Sequence, residues 1–327
     1  MLHPLFRLCQ PVGLLSDGAA PTKAYWLEGF DVQQGADSFV ELDPHRRPEP
    51  GELAVLGALV VVRTIPRAWL SGLRQLRAQG KPVVLLLDDA LLGSEALADL
   101  PLLYRWRLWW GISRHRACLG DLITELWVST SDLADQCRQE LGTHAIPIKV
   151  LPLRPALGVV ATQKAFRIAY LATASHRAEL AWLLPLLAEL QRRRSDCLVE
   201  LVLNQSWRRR FRHLPRTRIF YPMDWETYRM DTGNRSVDLL LVPLLPTAFN
   251  SGRAAVKFFD AARLGAVGLY SDRTPYQGFV RDGIDGQLLP DAPEAWLEAI
   301  DALLLDQSKR QQLAVGCRKR ALQLCSG

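Results

Sequence analysis

Three ionisable residues, Arg253, Lys257 and Asp260, sit close together in an otherwise apolar stretch. Read as one helix from about Arg253 to Leu264, their i, i+4, i+7 spacing puts them on a single narrow stripe. Ala254, Ala255, Val256, Phe258, Phe259, Ala261, Ala262 and Leu264 fill the rest, so the helix is predicted to be buried almost all round. Arg263, in the last turn, falls off the stripe. A charged stripe on a buried helix needs something to face. Two cations at a helix N-terminus suit a phosphate-bearing ligand, because the helix dipole and the unpaired N–H groups add to their charge. A carboxylate one turn on suits the hydroxyls of a ribose. The competing reading is an i,i+3 ion pair, Lys257 to Asp260, on a solvent-facing edge. The ligand reading is preferred, since few apolar helices carry such a stripe without purpose.

Four other places carry residues fit for chemistry. Ala172-Thr173-Ala174-Ser175-His176 follows an apolar strand and opens a helix. Backbone N–H groups there suit a phosphate, and His176 is a hydrogen-bond donor; plain N-capping by Ser175 explains the loop equally well. Tyr221-Pro222-Met223 lies between a strand and a helix, where it would pack on a nucleotide base or be an ordinary loop. Asp88 and Asp89 end a strand, a position that suits a general base, a metal ligand or contact with an acceptor hydroxyl; helix capping or plain solvent exposure is the competing reading. Leu103–Arg116 mixes Trp106, Trp109 and Trp110 with Arg105, Arg107, Arg114 and Arg116. An amphipathic core helix with inward tryptophans is preferred there. An interfacial helix in peripheral membrane contact is the second reading and a single-stranded nucleic-acid platform the third.

The elements that position these residues alternate as strand and helix. Strands are predicted at Ala58–Val62, Pro82–Asp88, Ile123–Val128, Ile148–Leu151, Ile168–Leu171, Leu198–Leu203, Arg218–Tyr221, Leu239–Val242 and Val267–Tyr270. Helices are predicted between them, one from Ser175 to Arg193 with a kink at Pro185, and others at Leu103–Cys118 and Ala295–Leu305. Buried apolar strands alternating with helices indicate parallel sheets. Pro152–Phe166 reads as a linker, giving domains 1–155 and 156–327. The fold class is therefore α/β, with two Rossmann-like domains facing across a cleft at the carboxyl ends of their strands. Ala24–Val32 and Ser38–Leu42 are candidate strands near the start, and Trp207–Arg218 reads as a solvated basic loop.

The chain has 327 residues, a formal net charge of +6 and a pI of about 9.1, which favours anionic partners. No apolar run reaches the roughly 20 residues of a membrane helix. The first residues, MLHPLFRLCQPVGLLSDG, lack a charged start and a long apolar core and are not expected to form a leader. Cys9, Cys118, Cys137, Cys197, Cys317 and Cys325 show no metal-ligand spacing and suit a reducing, cytoplasmic setting. Glycine-rich phosphate loops of the usual patterns are absent.

The second half resembles the nucleotide-sugar-binding domain of GT-B-fold glycosyltransferases of the retaining, group-1-type (family 4-like) kind. Ala174–Leu180 is similar to their S-H-x-x-D/E-L helix start. Asp238, Pro243, Leu244, Thr247, Phe249, Asn250, Gly252, Arg253, Lys257, Asp260 and Gly265 match their central motif. Ser271, Tyr276, Val280, Asp282, Gly283, Gly286 and Leu288 match the next. Pro82–Asp89 and Leu126–Ala134 are similar more loosely, and the first 50 residues are unmatched. The resemblance implies that Asp260 holds the ribose, that Lys257 and Arg253 face the diphosphate, and that Asn250 lies near the donor sugar. The first of the two family glutamates falls at Gly252, so a carboxylate contact to the sugar is missing. The first domain is also short.

The expectation is a sugar transfer from a nucleotide diphosphate-sugar to an acceptor hydroxyl on a polysaccharide or lipid-linked glycan. Asn250, Asp89 and His176 are expected at the reacting centre. Arg253, Lys257, Asp260, Ser175, Tyr221 and Met223 are expected to hold the donor. No metal or separate cofactor is expected, and nucleic acid is not an expected partner. A non-catalytic nucleotide-sugar-binding or scaffold protein is the alternative; an epimerase ranks last.

Overall fold

The computed structural model describes residues 11–16, 21–27, 39–93, 97, 100–142, 146–153, 155, 166–171 and 176–326. The chain divides into two compact units. The first comprises Met1–Ala156, Thr247–Ala254 and Gly327; the second comprises Leu157–Pro246 and Ala255–Ser326. Most of the expected linker at Pro152–Phe166 lies outside the described residues.

In the first unit the elements run β1 (Val12–Leu15), α1 (Pro21–Trp26), β2 (Phe39–Leu42), α2 (Pro50–Val55), β3 (Ala58–Val62), α3 (Leu70–Ala78) and β4 (Val83–Leu87). They continue with α4 (Leu102–Gly111), α5 (Leu119–Leu122), β5 (Glu125–Val128), α6 (Ser131–Leu141) and β6 (Ile148–Val150). All strands are parallel, in the order β2-β1-β3-β4-β5-β6. Every residue of β3 and β4 is buried, which is why both read as unbroken aliphatic runs: helices cover both faces of a parallel sheet. Leu73 and Leu76 of α3 and Leu133, Ala134 and Cys137 of α6 complete the core.

Three expectations fail here. Of the candidate strand Ala24–Val32, Ala24–Trp26 are helical: Pro21 opens a helix, where its fixed φ and missing N–H cost nothing; residues 28–32 lie outside the described set. The strand at Val12–Leu15 has only four residues, too few to show a period. The helix at Leu103–Cys118 is broken. It stops at Gly111, Ile112 turns away at φ −145°, and Ser113–Cys118 continue as 3-10 turns. Its tryptophans do not pack inward either: Trp106, Trp109 and Trp110 are 64%, 50% and 43% exposed, and only Leu108 enters the core.

In the second unit the order is β7 (Arg167–Leu171), α7 (Arg177–Arg193), β8 (Leu198–Val202), α8 (Gln205–Phe211), β9 (Thr217–Phe220), α9 (Trp225–Asn234) and β10 (Leu239–Val242). Then come α10 (Ala248–Ser251), inside the segment grouped with the first unit, α11 (Val256–Leu264), β11 (Val267–Ser271), β12 (Gln287–Leu289), α12 (Pro293–Leu305) and α13 (Gln307–Ser326). This sheet is also wholly parallel, ordered β12-β11-β10-β7-β8-β9. Pro185 sits inside α7 without ending it. The expected basic loop Trp207–Arg218 is helix up to Phe211, because Trp207 and Phe211 at i and i+4 give an apolar stripe to bury; residues 212–216 do form a turn, and β9 begins at Thr217.

α13 crosses the turn at Ile284–Asp285 with no space for a side chain at Gly316, where a Cβ would collide with the Ile284 carbonyl oxygen. Gly316→Ala should therefore lower stability by about 2 kcal/mol, although alanine is the better helix former. Urea unfolding of the two proteins measures it; an unchanged midpoint would show that α13 sits looser than described.

Candidate functional site

Asp260 lies in the middle of α11 with 1% exposure, so its charge must be met by neighbours. One carboxylate oxygen, Oδ2, accepts from Lys257 Nζ at 2.8 Å and from the Tyr228 hydroxyl at 2.9 Å. The other, Oδ1, accepts from Arg263 Nη1 at 3.0 Å. Arg263 is itself buried and stands over the Trp225 ring, which stacks on Tyr228 with centroids 5.5 Å apart. Lys257 Nζ is 5.6 Å from the centre of the Tyr228 ring and its side chain keeps 24% exposure. The solvent-facing ion pair is thus half right: the pair exists, but its carboxylate is enclosed. Arg263, off the stripe by spacing, is a direct partner because i,i+3 neighbours share a helix face.

The stripe itself needs correction. α11 begins at Val256, so Arg253 is not on it. Thr247 caps the separate turn α10 by accepting from the Asn250 N–H, and α10 ends at Gly252. The Thr-then-Gly punctuation was the available signal for two short helices. Of the expected cations, only Lys257 belongs to the first turn of α11.

The loop after β10 is fixed by two buried acceptors. Ser271 Oγ takes the Leu244 N–H at 2.9 Å, and Glu179 Oε1 takes the Leu245 N–H at 3.1 Å. Glu179 is 1% exposed, and His176 Nδ1 lies 3.7 Å from its other oxygen. Burial pushes the Glu179 carboxyl up, but the His176 hydrogen bond and charge, with backbone N–H donors, outweigh it and hold the group below its usual range. His176 occupies the N-cap position of α7 and makes no side-chain capping bond; its geometry makes it a partner of Glu179. Ser175 lies outside the described residues.

In the first unit, Asp88 and Asp89 follow β4. Asp88 accepts from Arg63 Nη1 at 2.8 Å and the Thr22 hydroxyl at 2.7 Å; Asp89 accepts from Arg63 Nη2 at 3.0 Å. Burial pushes Asp88 above the ordinary carboxylate range; Arg63 acts against this, and the neighbouring Asp89 charge adds to it. Burial alone would depress Arg63, but Asp88 and Asp89 outweigh that and hold it firmly protonated. Arg63 adopts φ +64°, a left-handed conformation that costs an arginine about 1 kcal/mol or more. Its fork of donors matches both carboxylates, which the sequence alone gave no reason to expect. Asn250 and Arg253 group with this unit, and the Arg253 guanidinium lies 3.9 Å from Asp89 and over the Phe249 ring.

Tyr221 and Met223 do not join the Asp260 cluster in any described bond. Tyr221 is 51% exposed, bonds to Gln205 and lies under Arg208; Met223 is half-buried. The aromatic side chain bonded to the carboxylate is Tyr228, seven residues beyond Tyr221, with Trp225 stacked on it. A Trp-x-x-Tyr placement relative to a distant Asp has no sequence signature.

No family model matches the sequence, and no curated protein sequence matches it. Solved structures do. HepE of Anabaena, crystallised with UDP and glucose, matches with a TM-score of 0.60 and 12% identity over 96% of this chain and 97% of its own. WaaG, a glycosyltransferase involved in lipopolysaccharide biosynthesis, matches with a TM-score of 0.55 and 16% identity, covering 88% and 84%. TarM of S. aureus, in complex with fondaparinux, alpha-GlcNAc-glycerol and UDP, matches with 0.56 and 8%, covering 81% and 52%. The fold is GT-B. In this GT-B chain the Asp260 and Asp88 clusters follow or flank strands of two parallel sheets, as the class predicts.

Two predictions follow from these geometries. Arg63→Met should cost about 3 kcal/mol because it removes the guanidinium that both carboxylates share, and Asp88→Asn in the same chain should restore part of the loss. A double-mutant cycle in urea reads this; additive costs would mean that the bidentate pair is not formed. For Glu179 the folded carboxyl is held low, so its contribution is complete above the unfolded pKa and disappears as pH falls through the lowered value. Glu179→Gln should lose about 1–2 kcal/mol at neutral pH, and the two unfolding midpoints should converge only below the ordinary glutamate value of about 4.3.

Proposed function

We propose that the protein is a glycosyltransferase of the retaining, group-1 type that takes a sugar from a nucleotide diphosphate-sugar and passes it to an acceptor hydroxyl on a glycan or lipid-linked glycan. The observation that carries the reading is the Lys257–Asp260–Tyr228 cluster on α11 and α9. Its support is the motif resemblance, together with a GT-B likeness to a protein crystallised with UDP and glucose.

In this reading Lys257 and Arg253 meet the diphosphate, Asp260 meets the ribose, and Asn250 meets the donor sugar. Asp89 takes the acceptor proton and His176 donates to the departing phosphate. As the glycosidic bond breaks, negative charge develops on the leaving diphosphate. Fixed cations near the first turn of a helix stabilise that charge without reorganising, and need no divalent metal or further cofactor. A cytoplasmic setting accords with free Cys118, Cys137, Cys197, Cys317 and Cys325 and with a nucleotide-sugar supply.

A second reading, a nucleotide-sugar-binding protein without catalysis, has one specific observation behind it. Gly252 stands where the resemblance places a glutamate. A Cβ there would lie 3.2 Å from Gln136 Oε1 and 3.4 Å from Leu133, so a glutamate would need Gln136 to move. Gln136 is engaged with the Ser251 hydroxyl at 2.9 Å.

Lys257→Ala and Arg253→Ala should each reduce transfer by about 10²-fold, and Lys257→Ala should also lower stability because it takes one partner from the buried Asp260 carboxylate. Transfer from a panel of nucleotide sugars, with thermal shift by UDP and GDP, separates the readings. A nucleotide-dependent rise in Tm with neither transfer nor donor hydrolysis selects the binding protein. Wild-type turnover in both variants removes the role assignment.

A further inference from the structure

α4 carries a surface that the nucleotide-sugar reading leaves unused. Placing residues at about 100° per residue puts Trp109, Leu102, Trp106, Trp110 and Leu103 on one continuous arc of roughly 120°. That arc faces solvent: Leu102 and Leu103 are 78% and 84% exposed, beside the exposed tryptophans. Arg105 and Arg107 flank it on either side, and the opposite face anchors the helix through buried Leu108 with Tyr104 packed on the core. Arg114 lies over the Trp110 ring at 4.5 Å. From Pro101 to Gly120 there are four arginines and no acidic residue. An arc of large apolar side chains turned outward on a helix anchored to the core is the reverse of ordinary helix burial.

We propose that α4 is a docking surface for an anionic lipid bilayer, on which it lies flat with its Trp–Leu arc in the headgroup–acyl boundary and its arginines on acidic headgroups. Tryptophan prefers that boundary because its ring is apolar and its N–H is polar, and arginine side chains can snorkel from an apolar stem to the phosphate plane. At ten residues α4 is too short to span a bilayer, and among the described residues no helix is long and apolar enough to cross one. The charge complementarity favours an anionic partner. The two exposed leucines and the ring geometry favour lipid over single-stranded nucleic acid. Trp106, Trp109 and Trp110 meet edge-on at 64° and 90°, which makes a compact wedge and not a row of parallel faces for bases. The inference rests on exposure, pattern and charge, and stands apart from the nucleotide-sugar reading.

Co-sedimentation of the full chain with vesicles of phosphatidylcholine containing roughly 30 mol % phosphatidylglycerol tests it, against vesicles of phosphatidylcholine alone. Binding to the anionic vesicles should be at least tenfold tighter and should weaken as salt rises. Trp106→Ser, Trp109→Ser and Trp110→Ser combined should lower it at least tenfold, and Arg105→Gln with Arg107→Gln several-fold. These side chains are outside the core, so circular dichroism and Tm should stay as in the wild type, as should the response to UDP. No binding by the wild type, or equal binding by the tryptophan variant, overturns the proposal. So does a concentration-dependent dimer that the tryptophan variant abolishes, or tight binding of oligothymidylate that the same variant abolishes.

Discussion

Asp260 is almost without exposure, and its charge has to be met from inside the protein. Lys257, Arg263 and Tyr228 meet it, and through them α9 and α11 are joined by a polar contact as well as by packing. A buried carboxylate with one partner removed would be costly, so the cluster is held as a unit. The same requirement makes it suited to a ligand. Lys257 keeps part of its side chain exposed while its charge stays fixed, the condition for stabilising an anion without first having to order a flexible chain.

The parallel sheets place this chemistry. A strand buried on both faces favours apolar side chains along its length, and several of the polar groups here gather at strand ends. Arg63 follows β3, Asp88 and Asp89 follow β4, and Ser129 after β5 donates to the Asp88 carbonyl. In the second unit Ser271 ends β11 and receives the loop that follows β10. Left-handed backbone at Arg63 is the local cost of aiming one guanidinium at two carboxylates.

α4 illustrates a different balance. Its composition is that of a core helix, yet one leucine is enough to anchor it, and the Trp–Leu arc turns outward. Composition and period do not say which side of an amphipathic helix faces the protein; neighbours decide that. Here the core side is occupied by Leu108, Tyr104 and the following Ile112, and the broader apolar arc has no partner within the unit's core.

The sequence by itself determined the two parallel sheets, because continuous aliphatic strands separated by helical stretches have few other ways to be buried. It also determined that Lys257 and Asp260 share a helix face, since three residues apart is one neighbouring position on any α-helix. Only the tertiary structure decided that Arg253 lies ahead of that helix, in the short non-helical stretch between Gly252, which stops the Thr247-capped turn, and Val256. It alone brought Tyr228 to Asp260 across 32 residues, Arg63 to Asp88 across 25, and Glu179 to the Leu245 amide across 66. Spacing along a chain fixes local faces. Partners for buried charges are chosen by whichever strand or helix the packed sheet sets beside them, and no local period records that choice.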